Sequence, residues 1–296
     1  MTAPGDQASQ SGQESPPTCY RHPDRETWVS CVRCGRHACP DCLRAAAVGQ
    51  QCVECVRGAG RTCRAAKTVF GGKPSRTAVV TWTIMAVNIL LYLIELAHTS
   101  LASDWWMLGY AQNYPGGPAQ GVAAGQWYRL ISSAFLPGTG SLGILDIAFN
   151  MWALYIVGPG LEQMLGRVRY LTVYLLSAVG GSVLFYYLVP PNQPALGASG
   201  AIFGLFGAWF VVSRRLHLDS RGIVMLIAIN LVLSFVYRST IAWQDHVGGL
   251  ITGAVVTAAF VYAPRKNQAA IQVAATVAVA FLLAIAVVIR NGQLNP

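Results

Sequence analysis

Seven apolar segments decide most of what this chain can fold into. They run over roughly residues 78–97, 143–160, 168–189, 199–213, 222–237, 243–262 and 270–289. A hydrocarbon core about 30 Å thick takes about 20 helical residues to cross. Lipid offers no partner to a free backbone group, so such segments must be helices that close their own hydrogen bonds. Only 11% of the residues are charged and 54% are hydrophobic, against about 25% charged in an ordinary soluble domain. The sequence therefore predicts an all-α polytopic membrane protein.

The fourth segment is short for a full crossing, so its start must be buried in protein. Pro190-Pro191-Asn192-Gln193-Pro194 makes a non-helical approach to it. The segment opens on Gly197-Ala198-Ser199-Gly200-Ala201-Ile202-Phe203-Gly204. Ser199 then lies at a buried helix N-terminus, where the dipole and free N–H groups favour a developing anion. Small residues around a serine also suit plain helix packing. A second feature weighs against packing alone. His246, in Trp243-Gln244-Asp245-His246-Val247-Gly248-Gly249, stands on another apolar segment. A serine and a histidine are the two parts nucleophilic catalysis needs.

Loop charges set the orientation. With the N-terminus inside, inner loops carry Arg167, Arg169, Arg214, Arg215, Arg221, Arg265 and Lys266, while the outer side carries Arg129, Arg238 and Arg290. Arg57, Arg61, Arg64, Lys67, Lys73 and Arg76 lead into the first span. The bias places the N-terminus in the cytoplasm and, after seven spans, the C-terminus outside a cell membrane. It also accounts for the net charge of +9 through anionic lipid rather than nucleic acid, so no nucleic-acid partner is expected. In this orientation Ser199 and His246 share the outer leaflet.

Other polar and small residues cluster near them. Asp146 and Asn150 are four apart and share one helix face; a polar face inside a bundle marks function or an interhelical bond. Gly200, Gly204 and Gly207 on the fourth segment, with Gly249 and Gly253 on the sixth, allow close helix approach. The first outer loop, about 98–142, holds Trp105, Trp106, Trp127, Tyr128 and Phe135 with the cation Arg129, which suits a loop lying in the interface.

All eight cysteines lie between Cys19 and Cys63. Cys19/His22, Cys31/Cys34, Cys39/Cys42 and Cys52/Cys55 each leave two residues between members, the spacing of a metal knuckle. Four pairs supply ligands for two tetrahedral Zn²⁺ ions, and so short a stretch needs metal for its folding energy. Spacing alone leaves the pairing open between a cross-braced and a sequential arrangement. His37 is a neighbour that could replace a ligand, and Cys63 is left over. Residues 1–18, polar and rich in Gly, Gln, Ser and Pro, are expected to be disordered.

Two resemblances add to this reading. The order of the knuckles resembles B-box-like zinc-binding modules, which implies Cys19, His22, Cys39 and Cys42 on one ion and Cys31, Cys34, Cys52 and Cys55 on the other. Residues 78–262 resemble the rhomboid intramembrane serine proteases. The marks are Gly197-Ala198-Ser199-Gly200, His246-x-x-Gly249-x-x-x-Gly253, Trp127-Tyr128-Arg129 and Phe149-Asn150-Met151. That resemblance implies a six-helix bundle plus one C-terminal helix. It implies an endopeptidase acting on transmembrane protein substrates through a Ser–His dyad, with no catalytic cofactor. Ser199 is then the nucleophile and His246 the base. The Ser199 N–H and the Asn150 amide hold the oxyanion, Phe203 packs on the His246 ring, and Gly197 keeps the oxyanion site open. The fifth span acts as a lateral gate.

Two positions depart from the family. Asp146 stands where a histidine is frequent, and Phe135-Leu136-Pro137 replaces a frequent Phe-Leu-His. An ionised Asp146 opposes an oxyanion; a protonated one donates to it. The expected organisation is a disordered 1–18, a zinc module at 19–57 with a cytoplasmic protein partner, and a basic linker at 58–77. The membrane domain at 78–262 and a seventh helix with its tail at 263–296 follow. Two other functions compete: a rhomboid-like protein that holds membrane clients without cutting, and a transporter using Asp146, Asn150 and Asp245. A transporter calls for an internal repeat of spans, and none is visible.

Overall fold

The structure is a computed structural model. It describes residues 15–294 except 63–67, 76, 99, 113, 115–116, 137 and 139–142. Cys63, Arg64, Lys67, Arg76, Pro137 and most of the polar N-terminal stretch therefore lie outside the described residues. The chain divides into two compact units, Met1–Ala65 and Ala66–Pro296.

In the first unit, β1 (Thr18–Cys19) and β2 (His22–Glu26) form an antiparallel hairpin. The Thr27 N–H donates to the Pro17 carbonyl at 2.8 Å, so ordered structure begins before Cys19. A second hairpin pairs β3 (Leu43–Ala45) with β4 (Gln50–Cys52), Leu43 opposite Cys52. Helix α1 (Val53–Thr62) follows directly and carries the unit beyond residue 57. Its largest apolar cluster joins Ala38 and Leu43 to Cys19, Cys39 and Cys42. That is far too little buried surface to fold a chain of this size unaided.

The second unit is helical. α2 spans Val79–Ala97 and α3 Ser100–Trp105. β5 (Ala111–Gln112) pairs with β6 (Ala119–Gln120), and α4 covers Arg129–Ser132. Then come α5 (Gly143–Leu165), α6 (Arg167–Leu188), α7 (Ser199–Arg215), α8 (Arg221–Val236), α9 (Trp243–Val261) and α10 (Gln268–Leu294). Each apolar segment is a helix, with ends moved by a few residues. Among the described residues, α2, α5, α6 and the stretch Arg265–Leu294 are long and apolar enough to cross a membrane. At 17 residues, α7 rises only about 26 Å, short of a hydrocarbon core.

The short helix is placed inside the bundle. Every residue from Gly200 to Ala208 is buried, and α5, α6, α8 and α9 pack around it. Its approach to α9 is backbone to backbone. A Cβ at Gly249 would strike the Gly200 carbonyl, and one at Gly253 the Gly204 carbonyl. A Cβ at Gly204 would run into Ser177 of α6. The glycine pattern is thus the contact surface of the helices that carry the serine and the histidine.

Buried polar side chains tie the remaining elements to this centre. Glu162 of α5, with no exposed surface, accepts from the Val80 and Thr81 N–H groups at 3.1 and 2.8 Å and from the Thr81 hydroxyl at 2.9 Å. It supplies the acceptors that the first turn of α2 lacks. Arg129 donates to Gln126 Oε1 at 2.7 Å and to the Ser103 and Trp106 carbonyls at 3.0 and 3.1 Å. This lone cation therefore organises the backbone of the first loop. Gln272 pins α10 by donating to the Phe260 and Phe70 carbonyls at 2.8 and 3.2 Å and accepting from Arg169 at 2.7 Å.

Candidate active site

The chain entering α7 is held by the first loop. Met107 and Ala195 exchange backbone hydrogen bonds of 2.7 and 2.9 Å, and the Gly197 N–H donates to the Ser133 carbonyl at 3.1 Å. Gly197 has φ of +139°, a region that favours glycine. A Cβ there would meet Ser199 Oγ at 3.4 Å and cover one side of the hydroxyl. Two residues later α7 begins at Ser199, whose N–H belongs to the first turn and has no intrahelical acceptor.

His246 lies in the first turn of α9 and is 6% exposed. Its Nε2 is 2.6 Å from Ser199 Oγ, within the reach a base needs of its nucleophile. The Phe203 ring, one turn after Ser199, stacks on the imidazole with centroids 4.2 Å apart and planes 10° from parallel. On the far side of the ring, Nδ1 is 2.7 Å from the Ser234 hydroxyl of α8. Three helices therefore fix one imidazole.

Asp146 and Asn150 meet across a turn of α5. Asn150 Nδ2 donates to Asp146 Oδ1 at 3.1 Å, and the Gly138 N–H donates to Asp146 Oδ2 at 2.8 Å. Both carboxyl oxygens accept from N–H groups, one from the first loop and one from α5 itself. An amide nitrogen carries two hydrogens, so one N–H of Asn150 is left for another acceptor.

Asp245, next to the histidine, occupies a position its sequence context does not advertise. Its carboxyl lies against Gly200 in the first turn of α7. A Cβ at Gly200 or at Gly181 of α6 would collide with that carboxyl. Sequence reading placed Asp245 only among polar residues in the membrane, and it missed Ser234 and Glu162 altogether. Proximity in space is their only signal.

The cysteines of the first unit come together in two groups, Cys19/His22/Cys39/Cys42 and Cys31/Cys34/Cys52/Cys55. Within each, one ligand atom per residue lies within 4.8 Å of all the others. His22 Nδ1 is 3.4 Å from the Cys39 and Cys42 sulfurs and 3.8 Å from that of Cys19. Cys34 and Cys52 sulfurs are 3.8 Å apart. Four sulfurs about 2.3 Å from a tetrahedral ion are about 3.8 Å from one another, so both groups fit a metal ion. The Cys31 thiol is pulled down to about 6, first by a backbone hydrogen bond from Cys52 and against desolvation. The Arg36 guanidinium beside Cys34 lowers that thiol too. His37 is in neither group.

Residues 124–263 match the family model of the rhomboid domain, which spans Asn150, Ser199 and His246. The chain is 35% identical over 195 residues to the rhomboid protease GluP of Bacillus subtilis (strain 168), covering 64% of this chain and 35% of that protein. It is 37% identical over 153 residues to YdcA of the same organism, which also carries the rhomboid protease name, covering 50% of this chain and 73% of that one. To the rhomboid protease AarA of Providencia stuartii it is 25% identical over 249 residues, 73% of this chain and 84% of AarA. It thus spans about a third of GluP and most of the other two. The matched region holds the short buried helix with its serine and the neighbouring helix with its histidine, and on these grounds the chain belongs to the rhomboid family.

Proposed function

We propose that this chain is an intramembrane serine endopeptidase that cuts transmembrane segments of membrane proteins through an acyl-enzyme. The observation that carries the reading is the 2.6 Å contact between Ser199 Oγ and His246 Nε2, made between two helices whose backbones touch. Packing alone calls for close helices; it does not call for a hydroxyl aimed at a basic ring nitrogen at a helix N-terminus.

In the first half-reaction the Ser199 hydroxyl proton passes to His246 Nε2 as Oγ bonds to the scissile carbonyl carbon. The carbonyl oxygen becomes an oxyanion, held by the Ser199 N–H and the second N–H of Asn150. The imidazolium then gives its proton to the leaving amine, and the peptide bond breaks. In the second half-reaction His246 takes a proton from water, the resulting hydroxide attacks the ester carbon, and Ser199 Oγ leaves with the proton restored. Phe203 holds the imidazole plane throughout, and Gly197 leaves the carbonyl's approach open.

Orientation follows from the loop charges: N-terminus cytoplasmic, C-terminus extracytoplasmic, cleavage toward the outer leaflet. The two ligand groups of the first unit hold two structural Zn²⁺ ions, and this module offers a cytoplasmic partner a docking site separate from catalysis. The metal supplies folding energy to a unit whose apolar core is minimal.

One observation favours a second reading, in which the protein holds membrane clients without cutting them. The Asp146 carboxyl accepts from the very amide that must face the oxyanion. Cleavage of a model transmembrane substrate separates the two. A protease cuts it, and Ser199→Ala and His246→Ala each abolish cutting while the chain stays folded. Binding without cutting by the native chain selects the client-holding reading.

A further inference from the structure

Ser234 sits in the apolar run Val232-Leu233-Ser234-Phe235 and is one of only two buried residues on α8, with Ile223. A hydroxyl in such a helix is satisfied by the carbonyl one turn back and needs nothing more. That bond is present: Oγ is 2.6 Å from the Asn230 carbonyl. A carbonyl oxygen only accepts, so the hydrogen in this contact is the hydroxyl's own. The same Oγ is 2.7 Å from His246 Nδ1. With its hydrogen committed to Asn230, Oγ turns lone pairs to the ring, and Nδ1 must be the donor. A neutral imidazole has one N–H, so Nε2 is bare, and it is Nε2 that faces Ser199.

We propose that Ser234 is a positioning residue for the base: it accepts the Nδ1 hydrogen of His246 and so holds the ring in the tautomer that can take the Ser199 proton. The chain of donors runs Ser199 Oγ–H to Nε2, Nδ1–H to Ser234 Oγ, and Ser234 Oγ–H to the Asn230 carbonyl. During attack only the first of these hydrogens moves; it leaves Oγ for Nε2, and the other two stay. The imidazolium keeps an acceptor on its second N–H as it gains charge. This third group is a neutral hydroxyl on a third helix, in the place where other serine hydrolases use an acid. The proposal rests on the Ser199–His246 reading above.

The test uses the purified full chain in detergent with one transmembrane substrate, and compares wild type, Ser234→Ala, Ser234→Thr and Ser199→Ala. Ser234→Ala is expected to lower kcat about tenfold with KM little changed, the size of one lost orienting hydrogen bond. Ser234→Thr, which keeps the hydroxyl, is expected to stay within about threefold of wild type. Side-chain ¹⁵N spectra of histidine, with the His246 signal identified by its loss in His246→Ala, should show a bare Nε2 in wild type and a tautomer mixture in Ser234→Ala. Wild-type kcat and an unchanged histidine signal in Ser234→Ala would overturn the proposal. So would Ser234→Thr falling as low as Ser234→Ala. Those outcomes leave the dyad standing. Undiminished cleavage by Ser199→Ala would instead remove the dyad reading itself.

Discussion

Asn150 donates its side-chain N–H to Asp146 one turn earlier on α5, and Asp146 takes a second N–H from Gly138. In the proposed mechanism an ionised Asp146 has two opposing effects on the oxyanion. Its charge disfavours the anion, while its hydrogen bond aims the amide and ties the first loop to α5. A donor to an oxyanion is worth about 2.7–4 kcal/mol when well aimed. A carboxylate already accepting from two N–H groups has part of its charge neutralised.

Asp146→Ala tests which effect is larger. Orientation dominates in this account, so turnover should fall about tenfold as Asn150 loses its partner. Turnover measured on one substrate, in protein shown to be folded, decides it. A rise would mean that the carboxylate acts chiefly by repelling the oxyanion, and Asp146→His should then raise the rate further by supplying a donor.

Gly249→Val should damage folding and activity together. A Cβ at 249 already meets the Gly200 carbonyl, and a branched side chain would push α9 from α7 where His246 must reach Ser199. Overpacking of this kind costs about 1–3 kcal/mol. The thermal midpoint in detergent and the cleavage rate should both drop. Wild-type values for both would show that the two helices do not touch there.

Glu162→Ala should lower stability without touching the chemistry. It leaves the Val80 and Thr81 N–H groups without their acceptor, at about 1–3 kcal/mol for buried unpaired donors. A lower thermal midpoint with unchanged kcat at permissive temperature is the expected result; equal stability would contradict the capping role.

How much of this could be read from the amino-acid order follows from the range of each interaction. The seven helices were legible because apolar runs must close their hydrogen bonds internally, and α7 declared itself short and buried by its length. That Ser199 and His246 lie close together was legible because small residues mark close helix contact around both. The cross-braced grouping of the knuckles came from resemblance, since spacing left it open. Ser234, Glu162 and the place of Asp245 against the first turn of α7 were not legible. Each acts on a partner that the fold alone brings near, and a serine among valines and leucines carries no periodic signal. The direction of the Asn150 amide was hidden for the same reason, although its spacing from Asp146 was plain.

The zinc reading makes a prediction of its own. The native chain should carry two Zn²⁺ per molecule, and Cys39→Ser with Cys52→Ser should reduce the count and destabilise Met1–Ala65. Acid should release the metal, because protons compete for the thiolates. Cleavage in detergent should persist after these changes, since Ser199 and His246 lie elsewhere. Elemental analysis of the purified chain showing one ion or none would contradict the assignment of both groups.

The central claim is that Ser199 is an activated nucleophile. Its most direct measurement is labelling of the purified native chain with a fluorophosphonate, followed by mass analysis of the adduct. The account predicts one adduct per chain, on Ser199, lost in Ser199→Ala and strongly reduced in His246→Ala. No adduct on folded native protein, or equal labelling when His246 is replaced, would contradict it.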